Sequence, residues 1–161
     1  MRCAKTLRIT LVISSLSSGG AERVMSIMAN YWAEKKWEVT LITLDSPASD
    51  FYTLHPGVNR IALGLMSDSA NPLTAIVNNL KRLSRLRSEI TRSRPDAVIV
   101  LGDRTNVLAL IATRGLGLKV IISERADPAM HRAGKIWEWL RRITYPRADV
   151  IVVQSSIVSR W

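Results

Sequence analysis

Three short stretches carry residue types that could do chemistry. The first is Ser17-Ser18-Gly19-Gly20-Ala21-Glu22-Arg23-Val24, directly after an apolar run. Adjacent glycines let main chain approach a ligand closely, and the first amides of a helix point at an anion placed there. Gly19 and Gly20 are therefore expected to offer bare amides to a phosphate or another oxyanion. The spacing lacks the Gly-x-Gly-x-x-Gly pattern of dinucleotide sites, which argues against NAD. Glu22 stands where an acid complements the helix dipole, with a ligand contact as the competing role.

The second stretch is Gly102-Asp103-Arg104 and the third is Ser123-Glu124-Arg125-Ala126-Asp127-Pro128. Each follows a run that reads as a buried strand. Ligands of open α/β sheets collect beyond the carboxyl ends of strands, so all three stretches should face one crevice. Acids and arginines at strand ends also pair with each other as a solvated rim, and that reading stays open. Arg125 is the sharper phosphate candidate of the two arginines, because a guanidinium grips phosphate in a bidentate way.

The elements that must position these residues follow from apolar periodicity. Leu7–Ser14, Glu38–Leu44, Asp96–Leu101, Lys119–Ser123 and Asp149–Val153 are Val- and Ile-rich and read as strands buried on both faces. Val58–Leu63 is a sixth, more polar, and so nearer an edge. Helical faces run through Val24, Ile27, Met28 and Tyr31, and through Leu73, Ile76, Val77, Leu80, Leu83 and Ile90 to a stop near Arg94-Pro95. Arg104–Thr113 and Ala129–Thr144 are further helices. Alternation of this kind predicts an α/β fold, a Rossmann-like doubly wound parallel sheet of about six strands with helices on both faces.

Two of the helices are basic. Lys81, Arg82, Arg85, Arg87, Arg92 and Arg94 crowd one, while Arg132, Lys135, Arg141, Arg142 and Arg147 accompany Trp137 and Trp139 around the other. Ile136, Leu140 and Ile143 line one face of the latter. Tryptophan beside arginine suits a lipid headgroup boundary, so Arg82, Arg85, Trp137, Trp139, Arg141 and Arg142 are the expected membrane-surface residues. The competing reading is a solvated helix whose tryptophans fill a core or meet another domain.

The whole chain of 161 residues carries a net charge of +10, which points to a polyanionic partner, either nucleic acid or an anionic membrane surface. The basic residues lie on helices that lack the aromatic platforms of single-strand binders or a recognition helix, so nucleic acid is not expected. One cysteine, Cys3, excludes an internal disulfide and favours a reducing compartment. No apolar run approaches the ~20 residues of a membrane span, and the apolar part after Arg8 is too short for a signal core. Ser155-Ser156 reads as a helix cap barely a turn before Trp161, so a longer protein is expected.

Taken together, Gly19-Gly20-Ala21-Glu22-Arg23, Ser123-Glu124-Arg125-Ala126-Asp127-Pro128 and Tyr145-Pro146-Arg147-Ala148-Asp149 leading into Val152-Val153-Gln154-Ser155 resemble the N-terminal domain of family 4 glycosyltransferases of the GT-B fold. The resemblance covers residues 1–161 as one acceptor-side domain, the donor domain with its paired glutamates being absent. It implies a retaining transferase that moves a sugar from a nucleotide-sugar, without a metal or other cofactor, to a lipid-linked or glycan acceptor. It also implies work in cell-surface polysaccharide or lipid-linked oligosaccharide synthesis, at the inner face of a bacterial cytoplasmic membrane. Gly19, Gly20, Glu22, Arg23, Asp103, Arg104, Glu124, Arg125 and Asp127 become candidates for donor-diphosphate or acceptor contact. Many members place a histidine at the end of the fifth strand. Here Ser123-Glu124-Arg125 stands in its place, so Glu124 is the candidate catalytic group, and His55 and His131 do not substitute. This portion alone is expected to be inactive. A basic binding module and a catalytically silent scaffold are the alternatives.

Overall fold

A computed structural model describes residues 6–66, 72–125 and 134–154. The β-branched runs form β1 (Arg8–Ile13), β2 (Glu38–Thr43), β3 (Val58–Ala62), β4 (Ala97–Leu101), β5 (Lys119–Glu124) and β6 (Val150–Val153). Between them lie α1 (Gly20–Glu34), α2 (Pro72–Ser93), α3 (Asp103–Ala112) and α4 (Lys135–Thr144). All pairings are parallel, in the order β3-β2-β1-β4-β5-β6. The direction of winding reverses between β1 and β4, which makes the sheet doubly wound and puts a crevice at their carboxyl ends. The polar β3 is an edge strand, as its composition suggested.

Side-chain alternation builds two cores. Leu11, Ile13 and Leu41 turn toward α1 and bury Met25, Ala29 and Ala33. Val12, Ile42, Val98 and Val100 turn to the other face, against Leu86 and Ile90 of α2 and Leu108 of α3. Each such side chain contributes about 1.5–3 kcal/mol by leaving water. α3 is buried from Thr105 to Leu110 because α2 and α4 flank it.

The face of α1 that meets the sheet is Met25, Ala29 and Ala33, while Ile27 and Tyr31 of the expected face are exposed; three further expectations need correction. β6 is not buried on both faces, since Val150, Ile151 and Val152 are 44–49% exposed. Among the described residues it is an edge strand that pairs with β5 alone. On α2 the apolar face does not stay in the core, because Ile76, Val77 and Leu80 are exposed while Leu86 and Ile90 are fully buried. The cause is length. A helix of 22 residues runs about 33 Å, whereas strands of five or six residues span about 16–20 Å, so the N-terminal half of α2 overhangs the sheet.

α4 is the third. It begins at Lys135, after Gly134 in the left-handed region at φ +96°, not at Ala129. It also turns Ile136, Trp139 and Ile143 to solvent, while Arg141 and Thr144 are buried. Residues 129–133 lie outside the described residues, as do Cys3, Asp127, His131, Arg132, Ser155 and Ser156.

Candidate functional site

The segments that leave β1, β4 and β5 all emerge at the carboxyl edge of the sheet. They form three neighbouring clusters.

At the end of β1, Gly19 N–H donates to Ser17 O at 2.8 Å, so this amide is not bare as expected. Glu22 folds its carboxylate back over Gly19, where an added Cβ would overlap Glu22 Oε2. Ser15 Oγ donates to Glu22 Oε1 at 3.4 Å, and Tyr52 Oη donates to Gly19 O at 3.0 Å. Gly19 is therefore glycine because the protein's own acid sits on it. Gly20 is different, with open space where its Cβ would be. The amides of Gly20, Ala21 and Glu22 precede the first helical donor, Arg23 N to Gly19 O, and no side chain of Gly19 caps them. The Arg23 residue is exposed.

At the switch point between β1 and β4 lies a cavity of about 480 Å³, lined by Ser14 after β1, by Gly102, Asp103 and Arg104 after β4, and by Asn79, Arg82 and Trp137 from the flanking helices. Gly102 holds φ +109°, a left-handed value that L side chains rarely adopt. Asp103 Oδ1 accepts from Arg104 N, so the acid satisfies a free amide at the start of α3. The Arg104 guanidinium stands 5.6 Å from the Trp137 ring centroid, within cation–π range. Arg82 Nε donates to Leu65 O at 2.8 Å and Nη1 to Asn79 Oδ1 at 3.1 Å. Gly19 and Gly20 share the sheet edge but do not line this cavity.

At the end of β5, Glu124 belongs to the strand, in register with Val153, and is only 4% exposed. The sequence suggested a loop residue facing the crevice. The strand runs one residue further because β6 pairs with it. Tyr145 Oη donates to Glu124 Oε2 at 2.6 Å, and Arg125 N donates to Oε1 at 3.0 Å. Asn106 Nδ2 donates to Ser123 O at 3.1 Å and to Tyr145 Oη at 3.3 Å. Burial first, and then the bond to Glu124, pushes the Tyr145 phenol well above the ordinary tyrosine value. Asn106 Oδ1 and Arg125 Nε are buried without a hydrogen-bond partner among the described residues. Asn106 and Tyr145 were missed as site residues. Tyr145 lay inside a motif already singled out, but nothing in its spacing pointed to Glu124.

The expected membrane-surface set divides in two. Arg82 and Trp137 form cavity wall, and Trp137 packs against the core. Arg141 is buried, its guanidinium 6.0 Å from the Tyr145 ring. These three are not surface anchors, because α4 is rotated to set that side inward. Arg85, Trp139 and Arg142 do reach the surface, with Trp139 60% exposed. Among the described residues, no helix is long and apolar enough to cross a membrane, and no group of three or more His, Cys, Asp or Glu could hold a metal ion.

A doubly wound sheet with a polar cavity at its switch point defines the class: a Rossmann-like domain of the kind found in GT-B glycosyltransferases and related epimerases. Residues 19–160 match the glycosyl transferase 4-like domain, and the chain belongs to that family. A curated relative, the α-1,4-N-acetyl-D-galactosaminyltransferase of Campylobacter jejuni that acts on GalNAc-α-(1→4)-GalNAc-α-(1→3)-diNAcBac-PP-undecaprenol, is 33% identical over 150 residues. That alignment covers 93% of this chain and 41% of the relative, so the chain spans about two fifths of that protein.

Among solved structures, sucrose-phosphate synthase of Thermosynechococcus elongatus superposes with TM-score 0.74 at 11% identity, over 96% of this chain and 45% of that one. A UDP-N-acetylglucosamine 2-epimerase of Rickettsia bellii gives 0.70 at 13%, over 96% and 40%. MurG of Acinetobacter baumannii gives 0.60 at 16%, over 91% and 41%. At these identities the structures speak for the fold alone.

Proposed function

We propose that this chain is the acceptor-side portion of a retaining glycosyltransferase that works on a lipid-linked acceptor at a membrane surface. The observation that carries the reading is the alignment with a relative that acts on a polyprenyl diphosphate oligosaccharide, combined with a cavity at the switch point where two arginines outnumber one aspartate. In such a reaction an acceptor hydroxyl attacks the anomeric carbon of a nucleotide-sugar. The new glycosidic bond forms, the bond to the diphosphate breaks, the hydroxyl proton is lost, and the nucleoside diphosphate leaves.

The described residues have positioning roles in this scheme. Arg104 would supply a guanidinium to acceptor phosphate in this cavity, beside Arg82 and Asp103 of the same lining, and would act by positioning and by electrostatic stabilisation. Gly20, Ala21 and Glu22 present amides at the start of α1, where Gly20 leaves room for a donor phosphate. Glu124 is buried and holds Tyr145 Oη and the Arg125 amide, so its effect on a reacting group would pass through Arg125, whose Nε has no hydrogen-bond partner among the described residues. Arg85, Arg142 and Trp139 would meet an anionic leaflet.

The test is transfer by the complete protein from a panel of nucleotide-sugars to polyprenyl-diphosphate-linked and water-soluble glycan acceptors. The reading expects product with lipid-linked acceptor and retained anomeric configuration. No transfer from any donor to either acceptor contradicts it.

A further inference from the structure

Beside this cavity lies a second, almost wholly apolar groove of about 550 Å³, between the overhanging half of α2 and the side of α4 that carries Ile136, Trp137 and Leu140, with Leu108 and Ile111 of α3 also lining it. The two spaces are not separate. Ala75, Asn79, Leu108 and Trp137 line both. On one side of this shared wall stand Arg82 and Arg104, with Asp103 in the same lining, a net positive end. On the other stand Ile76, Leu83, Ile111, Ile136 and Leu140, with Lys135 the one charged residue of that lining.

We infer that this groove holds the hydrocarbon chain of the acceptor while the adjoining cavity holds its phosphate head. This inference rests on the reading above that the acceptor is lipid-linked, and it names the site for the tail. The occupant follows from complementarity along one path. An amphiphile with an anionic head needs cations at one end and dry, hydrocarbon-lined space at the other. The structure gives that order across a single junction at Trp137 and Asn79. A groove of this size also falls within the about 300–1,000 Å³ of small-molecule sites. Exposure of the apolar walls in the absence of an occupant accounts for two departures from the sequence pattern, the unburied Ile76 on α2 and the unburied Ile136 on α4. Large apolar side chains grouped this way in a soluble fold mark a binding surface.

The complete protein, in detergent-free buffer, would be irradiated with farnesyl diphosphate carrying a diazirine at its hydrocarbon end, and labelled residues mapped by mass spectrometry. The expected result is label on Ile76, Ile136 or Leu140, displaced by unlabelled farnesyl diphosphate and about tenfold less readily by farnesol, which lacks the head. Ala75→Trp fills the junction and should cut the labelling about tenfold. Ile136→Asp, at a residue 72% exposed, should do the same without disturbing the fold, and decides the matter should Ala75→Trp fail to fold.

Label confined to Trp139 and Ile143 and unchanged in both variants would overturn the inference and assign this face to a bilayer. Label that is lost on dilution in step with dimer dissociation would overturn it in favour of a second copy, and absence of label would overturn it outright. Sugar transfer to a soluble glycan without farnesyl labelling removes this inference and leaves the transferase reading standing. Labelling without transfer does the reverse.

Discussion

α1 and α4 are both amphipathic helices on a parallel sheet, yet they use their apolar sides in opposite ways. α1 sets Met25, Ala29 and Ala33 against β1 and β2, and those side chains vanish from solvent, whereas Ile27 and Tyr31, which periodicity put on its apolar face, stay exposed. α4 sets Arg141 and Thr144 inward and shows Ile136, Trp139 and Ile143 to the outside. The difference separates apolar surface that makes the fold from apolar surface that the fold leaves exposed. Periodicity reports that a stripe exists. Only the sheet and the flanking helices decide where it faces.

The comparison can be broken first by stability. Met25→Ala on α1 should cost about 2–5 kcal/mol, because a fully buried side chain leaves a cavity. Ile136→Ala on α4 should stay within about 0.5 kcal/mol of wild type. Denaturant melts of the two variants check this, and equal losses would mean that the α4 face is core.

Next in size is the corner behind α4. Tyr145→Phe removes the donor to buried Glu124 and should cost about 1–3 kcal/mol. The phenol is raised in the folded state, by burial first and by Glu124 second. Its contribution is therefore complete below the unfolded tyrosine value of about 10 and is lost as pH climbs above it. Wild type should lose stability more steeply than Tyr145→Phe between neutral pH and strongly alkaline pH. Parallel profiles in thermal melts across that range would contradict the burial of this group.

Smaller effects follow on the surface. Arg85→Ala and Arg142→Ala should each weaken binding to anionic vesicles by about 1 kcal/mol, additively and less so at high salt. Sedimentation with vesicles over a salt series measures it. The buried Arg141 gives a useful contrast, because Arg141→Ala should act on the melt rather than on vesicle binding.

The smallest expected change in stability is at Gly20. Gly20→Ala meets no neighbour and should shift stability by less than about 0.5 kcal/mol. A large fall in transfer with an unchanged melt would show a ligand approaching that backbone. Gly19→Ala collides with Glu22 and would confound the two effects.

Most of the sheet was legible in the sequence. The six strands, the edge position of β3 and the helices on both faces follow from β-branched runs alternating with helical stripes, and those are local signals. The crevice was legible in part, since Gly102, Asp103 and Arg104 do gather at the switch point with Ser14. What failed was orientation. Whether Trp137 or Trp139 turns inward depends on the rotation of α4 about its axis, which no spacing encodes. The overhang of α2 follows from comparing its length with that of the strands, a relation between elements rather than within one. Glu22 also competes for the helix start that Gly19 seemed to leave open, because a flexible acid three residues on can fold back over a residue without a side chain.

Whether the outward face of α4 meets lipid decides between an anionic membrane and nucleic acid as the partner of this basic chain. Partition of the complete protein onto anionic vesicles, compared with duplex DNA under the same salt, tests it with Trp139→Ala/Ile143→Ala as the variant. The prediction is vesicle binding by wild type, weaker binding to DNA, and loss of the vesicle signal in the variant with its melt unchanged. Undiminished partition of the variant, or preference of wild type for DNA, would contradict it.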